Sequence, residues 1–206
     1  MSGRVVEVFA DVACPFTHVG LRRFVQARSE AGATDVALRV RAWPLELVNG
    51  KPLDADFVAE EVADLRAQVA GDLFTGFDPA AFPGSTIGLL GLVEVAYEQG
   101  LTTGESLSLA LRDALFERGR PVADPAVLAT IAADHGLTVP DPATAAALVD
   151  AEYAAGRQRG VTGSPHFFLG DGSWFCPGLD IERRGHHLHI EADEGPFKEF
   201  LAQAFA

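Results

Sequence analysis

The chain has 206 residues, 48% of them hydrophobic, and a formal net charge of −13 at pH 7. That length suits one large domain, or a small domain with an insertion, and leaves ample apolar surface for a core. The acidic balance disfavours nonspecific nucleic-acid binding and acidic membrane surfaces, because both reward Lys and Arg.

No run of 18 or more apolar residues occurs, so no membrane-spanning helix is expected. The most apolar window, 86–97, is interrupted by Gly, Thr and Glu and fits a buried helix better. The opening MSGRVVEVFADVACPF lacks the basic, apolar and small-residue order of a secretory signal, and the expected location is the cytoplasm.

Residues 4–9 (Arg-Val-Val-Glu-Val-Phe) read as a strand rich in β-branched residues. After Ala10-Asp11-Val12-Ala13-Cys14, Pro15 suits the first turn of a helix, where its missing N–H is no loss. Phe16, Val19, Gly20, Phe24 and Ala27 then share one face, and Gly32 is a plausible stop. Residues 36–43 alternate as a second strand, which completes a βαβ unit.

The middle of the chain carries no strand pattern. Helices are expected over 57–71, 86–99, 105–118, 125–135 and 143–158, with a loop over 75–85. Gly100, Gly119 with Pro121, and Gly136 with Pro140 mark helix ends, while Asp124-Pro125 and Asp141-Pro142 read as cap and first-turn pairs. Gly88 and Gly91 would permit close helix packing, and Phe82-Pro83-Gly84-Ser85 reads as a helix entry. Strand character returns in 165–169 and 174–177, joined by a Gly-Asp-Gly-Ser turn. Residues 187–191 alternate weakly, and 196–205 close the chain as an amphipathic helix.

Two cysteines, Cys14 and Cys176, stand far apart, which is no disulfide framework. Cys14 ends a strand-to-helix turn. The unpaired N–H groups and partial positive charge of a helix N-terminus stabilise a thiolate, and such cysteines reach pKa values of about 3.5–7.5. A buried inert thiol is the competing reading.

The turn Cys14-Pro15-Phe16-Thr17 resembles the Cys-Pro-x-Cys active-site turn of DsbA-like proteins in the thioredoxin superfamily. The segment Gly160-Val161-Thr162-Gly163-Ser164-Pro165-His166-Phe167-Phe168 resembles that family's cis-proline loop. Segments 82–100 and 111–136 look like the helices of its FrnE-like branch. The resemblance implies an α/β, thioredoxin-like fold (βαβ … ββα), its thioredoxin-like part formed by 1–49 and 151–206 around an all-helical insertion at about 50–150. It further implies Cys14 as nucleophile with Thr17 beside it. Pro15, Phe16, Ser164 and Pro165 would then position a thiol or disulfide substrate.

Thr17 departs from the family, because it stands where the resolving cysteine belongs. Dithiol oxidase activity is therefore doubtful, and a monothiol route with a second thiol from solution is the first expectation. Related kappa-class glutathione transferases and hydroxychromene carboxylate isomerases carry Ser-Pro-x-Ser-like turns and use bound glutathione. A transferase or isomerase using glutathione or another small thiol is therefore the alternative, and a non-catalytic binding module the third. No tightly bound cofactor is implied, and a homodimer stays open by analogy.

Cys176 could resolve Cys14 from a distance, although a thiol packed beside Trp174 and Phe175 is the favoured reading. His18 could tune Cys14 or face solvent, and His166 could turn toward the site. His186, His187 and His189 lack a completing ligand set and read as surface residues rather than a metal site. Phe74, Phe77 and Phe82 read as core, with a pocket wall above Cys14 as the other option.

Overall fold

The structure is a computed structural model that describes residues 4–185 and 187–206. Strand β1 (Arg4–Ala10) leads through a short turn into helix α1 (Pro15–Glu30), and β2 (Val36–Ala42) returns parallel to β1. Helices α2 (Leu45–Asn49), α3 (Ala55–Gln68), α4 (Ile87–Gln99), α5 (Leu101–Arg112), α6 (Pro125–Asp134) and α7 (Pro142–Gln158) follow. Strands β3 (His166–Leu169) and β4 (Gly172–Phe175) complete a four-stranded sheet of order β2-β1-β3-β4, in which β3 runs antiparallel to both of its neighbours. Strands β5 (Leu179–Arg184) and β6 (His187–Ala192) form a separate two-stranded sheet, and α8 (Glu194–Ala204) ends the chain.

The core follows from strand alternation. In β2, Val36, Leu38, Val40 and Ala42 are buried while Arg39 and Arg41 lie on the other face. Phe167 of β3 packs toward α1 and α8, with its ring near those of Phe24 and Phe200. Phe168 points to the opposite face and packs with Phe9, beside Trp43.

The outer edge of β2 is closed by helix side chains instead of another strand. The Tyr97 hydroxyl accepts from the Val40 amide at 2.8 Å and donates to the Leu38 carbonyl at 3.0 Å. Glu105 accepts from the Leu38 amide and Glu94 from the Ala42 amide, each at 3.1 Å. An edge satisfied in this way offers no free ladder to another chain.

Several boundaries differ from the sequence reading. Helix α2 is too short to show a periodicity, and it begins directly after Pro44 and ends at Gly50 in the left-handed region (φ 69°). The expected helix 105–118 is α5, which starts earlier at Leu101, followed by a π-helical turn over Asp113–Glu117. The early start hinges on Gly104, where a Cβ would lie 2.2 Å from the Tyr97 ring. Strand β5 was hidden by its charges, since only Leu179 and Ile181 carry its apolar face. Gly88 has open space around it and serves no packing role.

The π-helical turn is tied to α1. Glu117 accepts from His18 Nε2 at 2.7 Å, from the Phe74 amide at 2.8 Å and from the Thr75 amide at 3.2 Å. The His18 ring packs against both Phe74 and Phe116, with centroids 5.2 and 5.0 Å away. Phe77 packs on Phe116 and Phe82, so the three loop phenylalanines pack among core aromatics.

Two stability predictions follow from this packing. A Cβ on Gly91 would sit 2.5 Å from the Ala145 Cβ, so Gly91→Ala should force α4 from α7 and cost about 1–3 kcal/mol in urea unfolding. Burial pushes the Glu117 carboxyl up, but the bonds from His18, Phe74 and Thr75 outweigh it and hold it down at about 2. A depressed folded-state value adds stability above the unfolded carboxyl range that is lost as pH falls toward 2. Glu117→Gln should therefore lower stability at neutral pH by about 2 kcal/mol and flatten its fall with acid, as read by thermal melts across pH.

Candidate active site

The turn before α1 is held by Asp11. Its carboxylate is buried, with Oδ1 accepting from the Ala13 amide at 2.9 Å and Oδ2 accepting from the Leu45 amide at 2.6 Å and the Thr86 hydroxyl at 3.1 Å. Burial raises its pKa above the ordinary carboxylate value, against those bonds and the charge of Arg112. Arg112 is itself buried and donates to the Asp11 carbonyl at 3.1 Å and to the Ser108 carbonyl and hydroxyl at 2.9 and 2.6 Å. Burial pulls its guanidinium down to about 10.

Cys14 is the N-cap residue of α1, with extended backbone and Pro15 in the first turn. Its Sγ donates to the Ser164 carbonyl at 3.2 Å. The Ser164 hydroxyl lies 2.8 Å from Thr17 Oγ1 and accepts from the Asp11 amide at 2.9 Å. The Ser164–Pro165 bond is cis, and Pro165 rests against Gly20 of α1, where a Cβ would lie 3.4 Å from its ring. Pro15 is buried and Phe16 is half-buried against the core.

The direction of the Cys14 pKa corrects the sequence expectation. Cys14 is only 2% exposed, and loss of water pushes the thiol above its ordinary value. Bonds from Thr17 and Ser164 favour the thiolate but do not overcome burial, and the Glu61 carboxylate adds to the rise. A helix N-terminus lowers a thiol when the sulfur keeps solvent; here the desolvation dominates. Two clefts along the α1 flank measure about 590 and 610 Å³, and Cys14 lines neither.

The remaining candidates separate. His18 is bonded to Glu117 rather than to Cys14, and burial keeps it below its ordinary value and thus neutral at pH 7. His166 accepts from the Thr162 amide at 3.2 Å and stacks on Phe168, on the sheet face opposite Phe167. It therefore turns away from α1. His187 bonds Asp64 and His189 bonds Glu191, both exposed, while His186 lies outside the described residues. No group of three or more metal-ligating side chains occurs among the described residues. Nor is any described helix long and apolar enough to cross a membrane.

Cys176 is buried just past β4, and both cysteines are free thiols. Its amide donates to the Pro165 carbonyl at 2.9 Å, one rung beyond the Phe175–His166 pair. Its φ of 43° lies in the left-handed region, which costs a residue with a Cβ about 1–2 kcal/mol. Burial pushes its thiol up to about 12, with the Cys14 charge adding and Arg23 opposing.

Sequence reasoning passed over Asp11, Arg112 and Glu117. Asp11 stood three residues before the cysteine and was a readable signal. Arg112 and Glu117 sat in an amphipathic helix pattern that gave none.

The sequence profile of the DSBA-like thioredoxin domain matches residues 5–183. Among solved structures, a probable DsbA oxidoreductase from Streptomyces coelicolor is 23% identical with a TM-score of 0.66, covering 98% of this chain and 89% of its own. The cytosolic disulfide reductase DsbM from Pseudomonas aeruginosa is 19% identical with a TM-score of 0.58, covering 97% of each chain. A 2-hydroxychromene-2-carboxylate isomerase is 16% identical with a TM-score of 0.53, covering 83% of this chain and 88% of its own. None of the curated proteins compared with it matches. The profile match spans most of the chain, and the protein belongs to the family of DSBA-like thioredoxin domains.

Proposed function

We infer that the protein is a thiol–disulfide oxidoreductase that works through Cys14 as a single nucleophile of its turn, on one thioredoxin-like domain carrying a helical insertion. The observation that carries this reading is the Cys14 Sγ–H bond to the carbonyl of Ser164, directly before Pro165. An extended substrate whose backbone N–H pairs with that carbonyl removes the acceptor that now favours the neutral thiol. Binding and deprotonation are thereby coupled. The thiolate is then met by the Thr17 hydroxyl and the α1 terminus, and the buried sulfur stays unreactive until a partner docks.

The chemistry is exchange. The Cys14 thiolate attacks one sulfur of a disulfide, the S–S bond breaks, and a thiolate leaves with a mixed disulfide on Cys14. A second thiolate attacks that mixed disulfide and frees Cys14. Thr17 bears no thiol, so the second thiol comes from elsewhere, and glutathione is the small-molecule class of choice. A DsbM structure of the same fold was solved with GSH (19% identity, TM-score 0.56), and its cytosolic setting agrees with the expected reducing location. A second reading rests on the Thr17–Ser164 hydroxyl pair, 2.8 Å apart, which can cradle the sulfur of a bound thiol for transfer or isomerisation without exchange. The fold shared with the isomerase fits that reading too.

The separating experiment is mass analysis of the reduced protein after mixing with oxidised glutathione, together with glutathione-dependent reduction of a small mixed disulfide. A glutathione adduct on Cys14 and a loss of turnover of about 100-fold or more in Cys14→Ser support exchange. Saturable glutathione binding that survives Cys14→Ser, with no adduct, favours the cradle instead. Thr17→Ala should slow attack by roughly fivefold, the value of one hydrogen bond of about 1 kcal/mol.

The pH dependence has a definite sign. The folded Cys14 thiol lies above the ordinary value, so alkylation of the free protein by iodoacetamide should be slow at neutral pH and rise only beyond about 8.5. The same shift adds stability below the unfolded thiol range that is lost as pH climbs through it, and Cys14→Ala should reduce that alkaline loss in thermal melts. A reactivity midpoint well below 8.5 would overturn the dominance of desolvation at this sulfur.

A further inference from the structure

The turn that carries Cys14 holds no second thiol, yet the chain has one other cysteine, and the fold brings it to the same short segment. Cys14 donates from Sγ to the Ser164 carbonyl, and Cys176 donates from its amide to the carbonyl of the very next residue, Pro165. Cys176 follows β4, where Trp174 packs toward Phe200 of α8 and Phe175 points outward, 57% exposed. Cys176 itself is buried, at 6% exposure. Helix α1 reaches the same loop through Arg23, which donates to the Gly178 carbonyl at 3.1 Å. Burial, and after it the Cys14 charge, push the Cys176 thiol up.

The backbone at Cys176 is left-handed, whereas Gly178 nearby adopts its positive φ freely. A glycine would relieve the strain at 176 and leave no thiol there. We propose that Cys176 is the resolving thiol of this protein, closing an intramolecular disulfide with Cys14 across Pro165 after Cys14 has reacted with a disulfide substrate.

This rests on Cys14 being the nucleophile and supplies the second thiol that the turn lacks. In the first step the Cys14 thiolate attacks R–S–S–R, giving Cys14–S–S–R and RS⁻. In the second, Cys176 gives its proton to solvent and attacks the Cys14 sulfur. The Cys14–Cys176 bond forms and the second RS⁻ leaves. Two electrons pass from the protein dithiol to the substrate, and the two departing thiolates take up two protons. Two equivalents of a small thiol, itself oxidised to its disulfide, restore the reduced protein. Arg23 is the cation that faces Cys176 during the second step, with Asp72 and Glu194 also acting on Arg23.

The test is a quenched time course of the reduced, full-length protein with one equivalent of oxidised glutathione, read by intact mass and peptide mapping. The wild type should pass through a glutathione adduct on Cys14 to a species two hydrogens lighter, with Cys14 and Cys176 in one linked peptide. In Cys176→Ser, and independently in Cys176→Ala, the adduct should persist at least about tenfold longer. Arg23→Gln should slow the second step and leave adduct formation unchanged. A wild-type adduct as long-lived as that of Cys176→Ser, with no linked peptide, overturns the role of Cys176 while leaving Cys14 as nucleophile. Absence of any adduct on Cys14 in all the variants overturns both.

Discussion

The site depends on one buried carboxylate. Asp11 receives hydrogen bonds from the Ala13 amide on its own turn, from Leu45 at the start of α2 and from Thr86 before α4, while its main-chain amide reaches Ser164. A single residue, through its side chain and its main-chain amide, thus joins the β1–α1 turn, the helical segment and the proline loop. Arg112 adds α5 through the Asp11 carbonyl. A buried acid keeps such a position because each of its oxygens is satisfied; removing a partner would leave a buried polar group unpaired. This arrangement holds Ser164 in place, and the Cys14 Sγ donates to its carbonyl.

The helices between β2 and β3 do more than enlarge the molecule. Tyr97, Glu94 and Glu105 satisfy the exposed ladder of β2, and Thr86 and Arg112 reach the turn before Cys14. Glu117, at the end of the π-helical turn, fixes His18 and the backbone at Phe74 and Thr75. The same segment that protects the sheet edge therefore also packs against α1, and the Cys14 sulfur is itself buried.

That dryness sets the chemistry. A helix N-terminus and two nearby hydroxyls favour a thiolate, while burial opposes it, and in the resting protein burial prevails. In the proposed exchange, a substrate that takes the Ser164 carbonyl for its own pairing would change the balance, because the acceptor of the thiol proton is then occupied. Thr17 in the position of a second cysteine removes resolution within the turn. In the proposed mechanism the burden passes to a thiol from outside the turn, and the residue after β4, Cys176, bonds the Pro165 carbonyl through its amide.

The sequence by itself determined the family and the order of the main elements, with α2 and β5 passed over. Cys14-Pro15-Phe16-Thr17 and the Ser164-Pro165 segment are local strings, and β-branched alternation in 4–9 and 36–43 marks strands wherever it occurs. The caps at Asp124 and Asp141 were equally legible, since each carboxylate bonds amides two and three residues on. Only the tertiary structure decided the rest. The pKa direction of Cys14 depends on burial by distant segments, and the partners of His18 and His166 depend on which face each element presents. The roles of Asp11, Arg112 and Glu117 arise from contacts between residues as far as 153 positions apart, as in the bond from the Asp11 amide to the Ser164 hydroxyl. Periodicity records which side of an element is apolar, but not what the polar exceptions on that side will meet.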